Sequence, residues 1–139
     1  HHRGPRRRPQ MIVVDASAMV AFLADAGGIG QATRSIIGHH AVAFPSVMSF
    51  EVANTMRRLV TSRATDARFA HQCLARLAAI QATEVGFAPL VARIWALRGQ
   101  VTAYDAAYVA LAELFDVPLL TLDDRLRRAQ GTRCTFVDL

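Results

Sequence analysis

Lysine is absent from this chain: all sixteen of its Lys-or-Arg positions are arginine. That excludes any chemistry built on a lysine, such as a Schiff base, a P-loop phosphate clamp or the lysine of a receiver domain. Cysteine is scarce too. Cys73 and Cys134 lie far apart, without CxxC spacing, which argues against a zinc site or a disulfide framework and for a reducing cytosol. Apolar runs are short: Asp15, Asp25, Asp105 and Glu113 cut them well before the roughly 18 residues a membrane span needs, and no signal peptide is visible. Gly28-x-Gly30 follows a helical stretch rather than a strand and has no lysine companion, so it reads as a loop. His39, His40 and His71 are isolated, and Ser17 has no histidine near it in sequence, which leaves a hydrolase triad unsupported. Aromatics make up 7% of the chain; Tyr104, Tyr108, Phe22 and Phe44 read as core, and Trp95 as core or interface.

The formal charge of +5 invites a nucleic-acid reading, but its location weakens it. Arg3, Arg6, Arg7 and Arg8 fall within the first ten residues, HHRGPRRRPQ, which carry no acid. Without them, twelve arginines face eleven acids over residues 11–139, a net of +1. The two leading histidines suggest the end of a purification tag, a native basic arm being the alternative, and Met11 opens an apolar run like a natural start. Residues 11–139 are therefore expected to form one domain, long enough to bury a core of its own.

Within that stretch, short β-branched runs alternate with helical patterns. Strands are expected at residues 11–15, 41–44, 83–87, 117–121 and 134–137. Helices are expected at 16–24, 28–38, 46–62, 65–80, 89–98, 102–115 and 123–130, with Pro45 near the first turn of the third. Such alternation implies an α/β fold with a parallel sheet covered on both faces, whose active crevice lies at the carboxyl ends of the strands.

The few acids are then informative by position. Asp15 ends the first strand in VVDASA, Asp123 and Asp124 follow the fourth in LLTLDDRL, Asp105 lies in the first turn of its helix, and Glu51 lies deeper in the long helix. Taken singly, caps explain most of them: Asp15 and Asp123 as N-caps, and Thr102-x-x-Asp105 and Thr121-x-x-Asp124 as capping boxes. Glu51 is too deep to cap. If these carboxylates converge, two charges 4 Å apart cost about 4 kcal/mol at an effective dielectric near 20, and only protons or cations neutralise the cluster. An all-oxygen site suits Mg²⁺ or Mn²⁺, and such a site most naturally serves phosphodiester hydrolysis. Arg57, Arg58, Arg63 and Arg68 after Glu51, and Arg125, Arg127, Arg128 and Arg133 after Asp123, are mostly solvated surface, although a guanidinium there would suit a phosphate.

VVDASA, SFEVANTMRR, TAYDAAYVALAE and LLTLDDRLRRA, in this order over residues 11–139, resemble the PIN-domain nucleases, and more narrowly the VapC toxins of bacterial toxin–antitoxin pairs. The resemblance implies a three-layer α/β/α sandwich around a parallel sheet of about five strands. Asp15, Glu51, Asp105 and Asp123 match the family's catalytic acids. Asp15 and Asp105 would hold Mg²⁺ or Mn²⁺, while Glu51 and Asp123 would bind a second ion or position the attacking water. Ser17 and Asn54 are candidates for supporting hydrogen bonds, Arg125 for a substrate contact, and Asp124 competes with Asp123 as the fourth acid. The implied reaction is cytoplasmic cleavage of RNA that leaves a 5′-phosphate and a 3′-hydroxyl. The implied partners are RNA, a second copy in a homodimer, and a VapB-like antitoxin whose C-terminal segment fills the active groove. Apolar surface around the second and third helices is expected to serve both protein contacts. A nuclease of the same fold for RNA maturation, or a binding module whose acids are only caps, are the alternatives; the second leaves Glu51 without a role.

Overall fold

A computed structural model describes residues 9–139; the tag expected at residues 1–10 thus lies almost wholly outside the described residues. The apolar runs become a parallel sheet of four strands among these residues: β1 (Met11–Val14), β2 (Ala41–Pro45), β3 (Thr83–Val85) and β4 (Leu119–Leu120). Their order across the sheet is β3-β2-β1-β4. β1 is buried between β2 and β4, with Val13 paired to Ala43 on one side and Leu119 on the other, as expected for a β-branched run with no polar alternation.

Between β1 and β2 run α1 (Ala16–Ala24) and α2 (Gly28–Gly38); α3 (Val47–Thr61) and α4 (Ala67–Ala79) lead from β2 to β3. A 3₁₀ turn (Ala88–Leu90), α5 (Val91–Ala96) and α6 (Ala103–Phe115) lead back to β4, and α7 (Asp124–Arg127) follows. The first two crossovers move one way across the sheet and the third moves back. Since such crossovers are right-handed, α1–α4 cover one face and α5 and α6 the other. The packing agrees: α1 touches α2, α3 and α4, whereas α6 lies on β1, β2 and α5. The core joins Ile12, Val13 and Val14 of β1 to Met19, Met48, Met56, Leu111 and Leu119, all buried. Cys73, buried on α4, donates from Sγ to the Leu23 carbonyl of α1 at 3.5 Å.

Local chemistry explains the loops. Asp25, which ends α1, accepts from the Gly27 and Gly30 amides at 2.8 and 3.1 Å, so the start of α2 is capped by the chain's own carboxylate. Gly30 is obligatory there, because a Cβ would lie 1.9 Å from the Asp25 carbonyl oxygen.

Three expectations are corrected. The strand expected at residues 134–137 forms only a single parallel bridge, Phe136 to Leu119, held by Leu119 N–H to Thr135 O (2.9 Å) and Val137 N–H to Leu119 O (3.0 Å). Its partner β4 is only two residues long: Leu119 alone faces residues 135–137, Pro118 and Leu120 turning their carbonyls to β1, and beyond Leu120 the chain turns away. Pro45 ends β2 instead of opening α3, where the neighbouring Ser46 N–H donates to Val85 O at 2.9 Å. Tyr104, read as core, is 59% exposed, and Trp95, read as core or interface, is outside the core at 66%; the first turn of α6 stands clear of the sheet, so its helical stripe begins only at Tyr108.

Candidate active site at the carboxyl end of the sheet

Asp15 leaves the end of β1 and Asp123 follows β4, the two neighbouring strands where the direction of winding reverses. Such a switch point opens a crevice at the strand ends. Glu51, from the second turn of α3, and Asp105, from the first turn of α6, reach the same crevice. Together with Ala16, Ser17, Val20, Thr55 and Tyr108, the four acids line one pocket of about 390 Å³. Asp124 and Asn54 do not line it; Asp124 is exposed on α7, and the Asn54 amide oxygen accepts from Arg57 Nε at 3.1 Å.

Asp15 is 5% exposed and is the most constrained of the four. Its Oδ1 accepts from Ser17 Oγ at 2.7 Å and from the Ala18 amide at 3.0 Å, and its Oδ2 accepts from Thr121 Oγ1. It therefore caps α1 and faces the pocket at once. Ser17 Oγ in turn accepts from Leu122 N–H at 2.9 Å, and Thr121 Oγ1 accepts from Asp123 N–H at 3.0 Å. These bonds lace the ends of β1 and β4 together. They also overturn the capping box expected at Thr121: its Oγ1 accepts from the Asp123 amide rather than from Asp124, and Asp123 itself caps α7 by accepting from the Arg125 amide at 2.9 Å. The cap at Thr102 is present, its Oγ1 accepting from Asp105 N–H at 3.2 Å.

Glu51 accepts from the Tyr108 hydroxyl at 2.6 Å, a contact between α3 and α6 that the sequence does not announce. Tyr108 looked like one more apolar rung; its helical phase with Asp105, one turn earlier, was the available signal. Thr121 was equally hidden, since its partner lies 106 residues away.

Electrostatics tie the acids into one unit. Burial pushes the Asp15 carboxyl above its ordinary value, its three hydrogen bonds oppose that, and the Asp105 charge adds to it. Glu51 is raised by burial, eased by Tyr108, and raised again by Asp105 and Asp15. Asp105 is raised by burial and by Asp123, with Arg125 and Thr102 acting against this. Arg125 is the cation nearby, its Nε 3.8 Å from Asp123 Oδ1 and its side chain mostly exposed.

Among the described residues, no three His, Cys, Asp or Glu side chains stand close enough to enclose a metal ion; the acids line the walls of an open pocket instead. That suits a hard cation which keeps several waters and takes only one or two carboxylates. The donors are all oxygen, mutually repelling and short of cationic partners, so Mg²⁺ or Mn²⁺ fits them.

A family model described as PIN domain matches residues 12–131. The chain belongs to the PIN-domain family. Within it, this PIN domain is 39% identical over 127 residues to ribonuclease VapC9 of Mycobacterium tuberculosis, across 89% of this chain and 94% of that protein. In fold it is similar to the Mycobacterium tuberculosis toxin VapC20, described as cleaving the sarcin-ricin loop (TM-score 0.67, 15% identity, 88% of this chain and 96% of that one). It is also similar to a chain of the VapBC2 complex of Rickettsia felis bound to a promoter DNA fragment (TM-score 0.64, 10% identity, 93% and 100% covered). At those identities the two structures speak for the fold, while VapC9 places this PIN domain among the VapC ribonucleases.

Proposed function

We propose that this chain is a divalent-metal-dependent endoribonuclease and the toxin of a toxin–antitoxin pair, with residues 11–139 as one PIN domain. The observation that carries the reading is the meeting of Asp15, Glu51, Asp105 and Asp123, from four separate elements, in one pocket at the switch point of the sheet. Kinship with VapC9 supplies the substrate class, RNA. Asp15 and Asp105 would hold Mg²⁺ or Mn²⁺. When bound, the ion polarises the scissile phosphate and lowers the pKa of the attacking water.

The protein's own groups do the rest. Ser17, Thr121 and the Ala18 amide fix the Asp15 carboxylate so that it does not turn away from the pocket. Glu51, oriented by Tyr108 and raised by burial and its acidic neighbours, is placed to accept the proton of the attacking water. Asp123 lines the same pocket, and Arg125 beside it offers a guanidinium to the phosphate. The products are a 5′-phosphate and a 3′-hydroxyl, with no covalent intermediate.

A VapB-like antitoxin is the proposed regulator, its C-terminal segment occupying the acid groove, and the toxin acts in the cytoplasm as a homodimer. The likeness in sequence to the VapC ribonucleases supports this reading of the partner. The expected result is cleavage of RNA with Mg²⁺ or Mn²⁺, lost in EDTA and reduced at least about 100-fold in Asp15→Asn, since even supporting residues of metal sites cost 10–100-fold. Cleavage without metal, or full activity of the variant, refutes the mechanism. Growth arrest on expression of the chain but not of its Asp105→Asn form tests the toxin role.

A further inference from the structure

Away from the acid pocket, a strongly charged surface lies where α3 turns into α4. Between Glu51 and Glu84 the chain has five arginines and a single acid, Asp66. Arg76 is engaged within the fold, donating to the Leu23 carbonyl at 3.2 Å. Asp66 is engaged as the α4 cap, accepting from the Phe69 amide at 2.8 Å. That leaves Arg57, Arg58, Arg63 and Arg68, all exposed, none paired with a carboxylate among the described residues.

The backbone of the same turn adds an independent observation. α3 ends in a Schellman motif: the Arg63 amide donates to Val60 O at 3.0 Å and the Ala64 amide to Leu59 O at 2.9 Å. The residue after the helix cap must then be left-handed, a place that ordinarily goes to glycine, and Arg63 holds it at φ 62°. The other left-handed positions among the described residues fall to Asp116 and Gly131, residue types suited to them. An arginine that holds strained backbone in an exposed turn, where glycine would sit more easily, points to a use for its guanidinium.

We propose that the α3–α4 turn is a second RNA contact, separate from the acid pocket, in which Arg63 and Arg68 hold backbone phosphates some way along the strand from the cleaved bond. The inference rests on the endoribonuclease reading and adds to it a site that governs affinity rather than chemistry. α3 itself links the two places. Glu51, Thr55 and Arg58 share one face of it; Thr55 lines the acid pocket, and its Oγ1 accepts from Arg58 Nη2 at 3.3 Å. From Glu51 to the end of α3 at Thr61 is about 15 Å along the axis. That is roughly four to five nucleotides at the ~3.4 Å rise of one stacked strand. The side chains set the class of ligand. The turn itself, Ser62-Arg63-Ala64-Thr65-Asp66, has no large apolar group to bury against a protein. Guanidinium groups on an open surface suit phosphate oxygens and read no base.

The test compares RNAs of about 16 and about 4 nucleotides, the shorter too short to span from the acids to the turn. Binding is read by fluorescence anisotropy on the full chain carrying Asp15→Asn, and cleavage on the full chain without it. Arg63→Gly is expected to raise the melting temperature by about 4 °C, by relieving the left-handed backbone. It is nevertheless expected to weaken binding of the longer RNA about five-fold. Arg68→Gln weakens it similarly, each variant lowers the salt slope by about one, and Arg63→Lys, which keeps the charge, restores binding. In cleavage, Arg63→Gly and Arg68→Gln raise KM for the longer RNA with kcat unchanged, and neither affects the shorter. Unchanged affinity in Arg63→Gly, or equal loss on both RNAs, overturns the proposal. A lower melting temperature in Arg63→Gly also overturns it, making the arginine structural. So does a change in molecular mass with RNA affinity per protomer intact, which gives the turn to a second copy. Failure of the parent chain to cleave either RNA defeats the nuclease reading and the inference with it, whereas cleavage with unaffected variants defeats only the second site.

Discussion

Two carboxylates of the same type, Glu51 and Glu113, sit in opposite circumstances within this fold. Glu113, on α6, accepts from Arg93 Nε at 2.6 Å and Nη2 at 3.3 Å, and from the Arg133 amide at 2.8 Å. Arg93 in turn reaches the Gly131 carbonyl at 2.6 Å, so the network pins the C-terminal segment to α5 and α6. Burial alone would raise Glu113, but these partners outweigh it and hold the carboxyl below its ordinary 4.5. Glu51 is raised instead, with a neutral hydroxyl as its hydrogen-bond donor and two acids as its charged neighbours. Neutralised acids hold the fold together; unneutralised ones strain it and await a cation. The contrast separates stability from function without reference to any relative.

Mirror-image substitutions break the comparison most sharply. Glu51→Gln is expected to reduce RNA cleavage about 100-fold while preserving the fold, because the amide oxygen still accepts from Tyr108. Glu113→Gln is expected to leave cleavage unchanged and to cost about 1–2 kcal/mol, since removing one partner of a half-buried pair strands the other. That corresponds to a melting temperature lower by about 4–8 °C, by calorimetry. Both variants behaving alike would dissolve the distinction. A smaller effect has the opposite sign: Asp105→Asn relieves repulsion and is expected to stabilise the apo fold by about 1 kcal/mol while abolishing activity. Added Mg²⁺ should raise the melting temperature of the unsubstituted chain, and that of Asp105→Asn much less.

The smallest effect is the pH slope. For Asp15, Glu51 and Asp105 the folded state binds protons more tightly than the unfolded chain, so their cost appears only as pH rises above the ordinary 3.8 or 4.5 and through the raised values. Lowering pH through the raised values toward the ordinary ones therefore stabilises the metal-free protein. Glu113 acts in reverse: its contribution is present above 4.5 and is lost as pH falls through the lowered value. A melting curve that rises as pH falls through the raised values and drops again below 4.5, with the rise flattened in Asp105→Asn and the fall in Glu113→Gln, is the expected outcome. A slope identical in all three refutes the assignment.

The acids were legible because strand ends and helix starts are set by local chemistry: β-branched runs, caps, and the rule that crevices open at carboxyl ends. The Asp123 and Asp124 pair shows the limit. Both follow the same strand, and it takes the folded turn, with Thr121 bonded to Asp15 and to the Asp123 amide, to show that Asp123 lines the pocket while Asp124 is exposed on α7. The Tyr108 bond to Glu51 was hidden for the same reason, being a contact across 57 residues in a stripe that reads as apolar. Tyr104 was misread because helical spacing says which side chains share a face, not where the neighbouring sheet stops. The fifth strand failed on its partner: β4 is two residues long, and only Leu119 turns its N–H and carbonyl toward residues 135–137.

Cys73 has a use in kinetics. Its thiol lies between α4 and α1, and burial pushes it up while Arg76 opposes this, so it stays protonated and shielded; Cys134 is pushed up to about 11, again by burial. A thiol-selective reagent consequently reacts with Cys73 no faster than the interface between α4 and α1 opens. The rate of labelling, followed with and without RNA or Mg²⁺, then times how often that interface breathes and whether filling the distant acid pocket slows it.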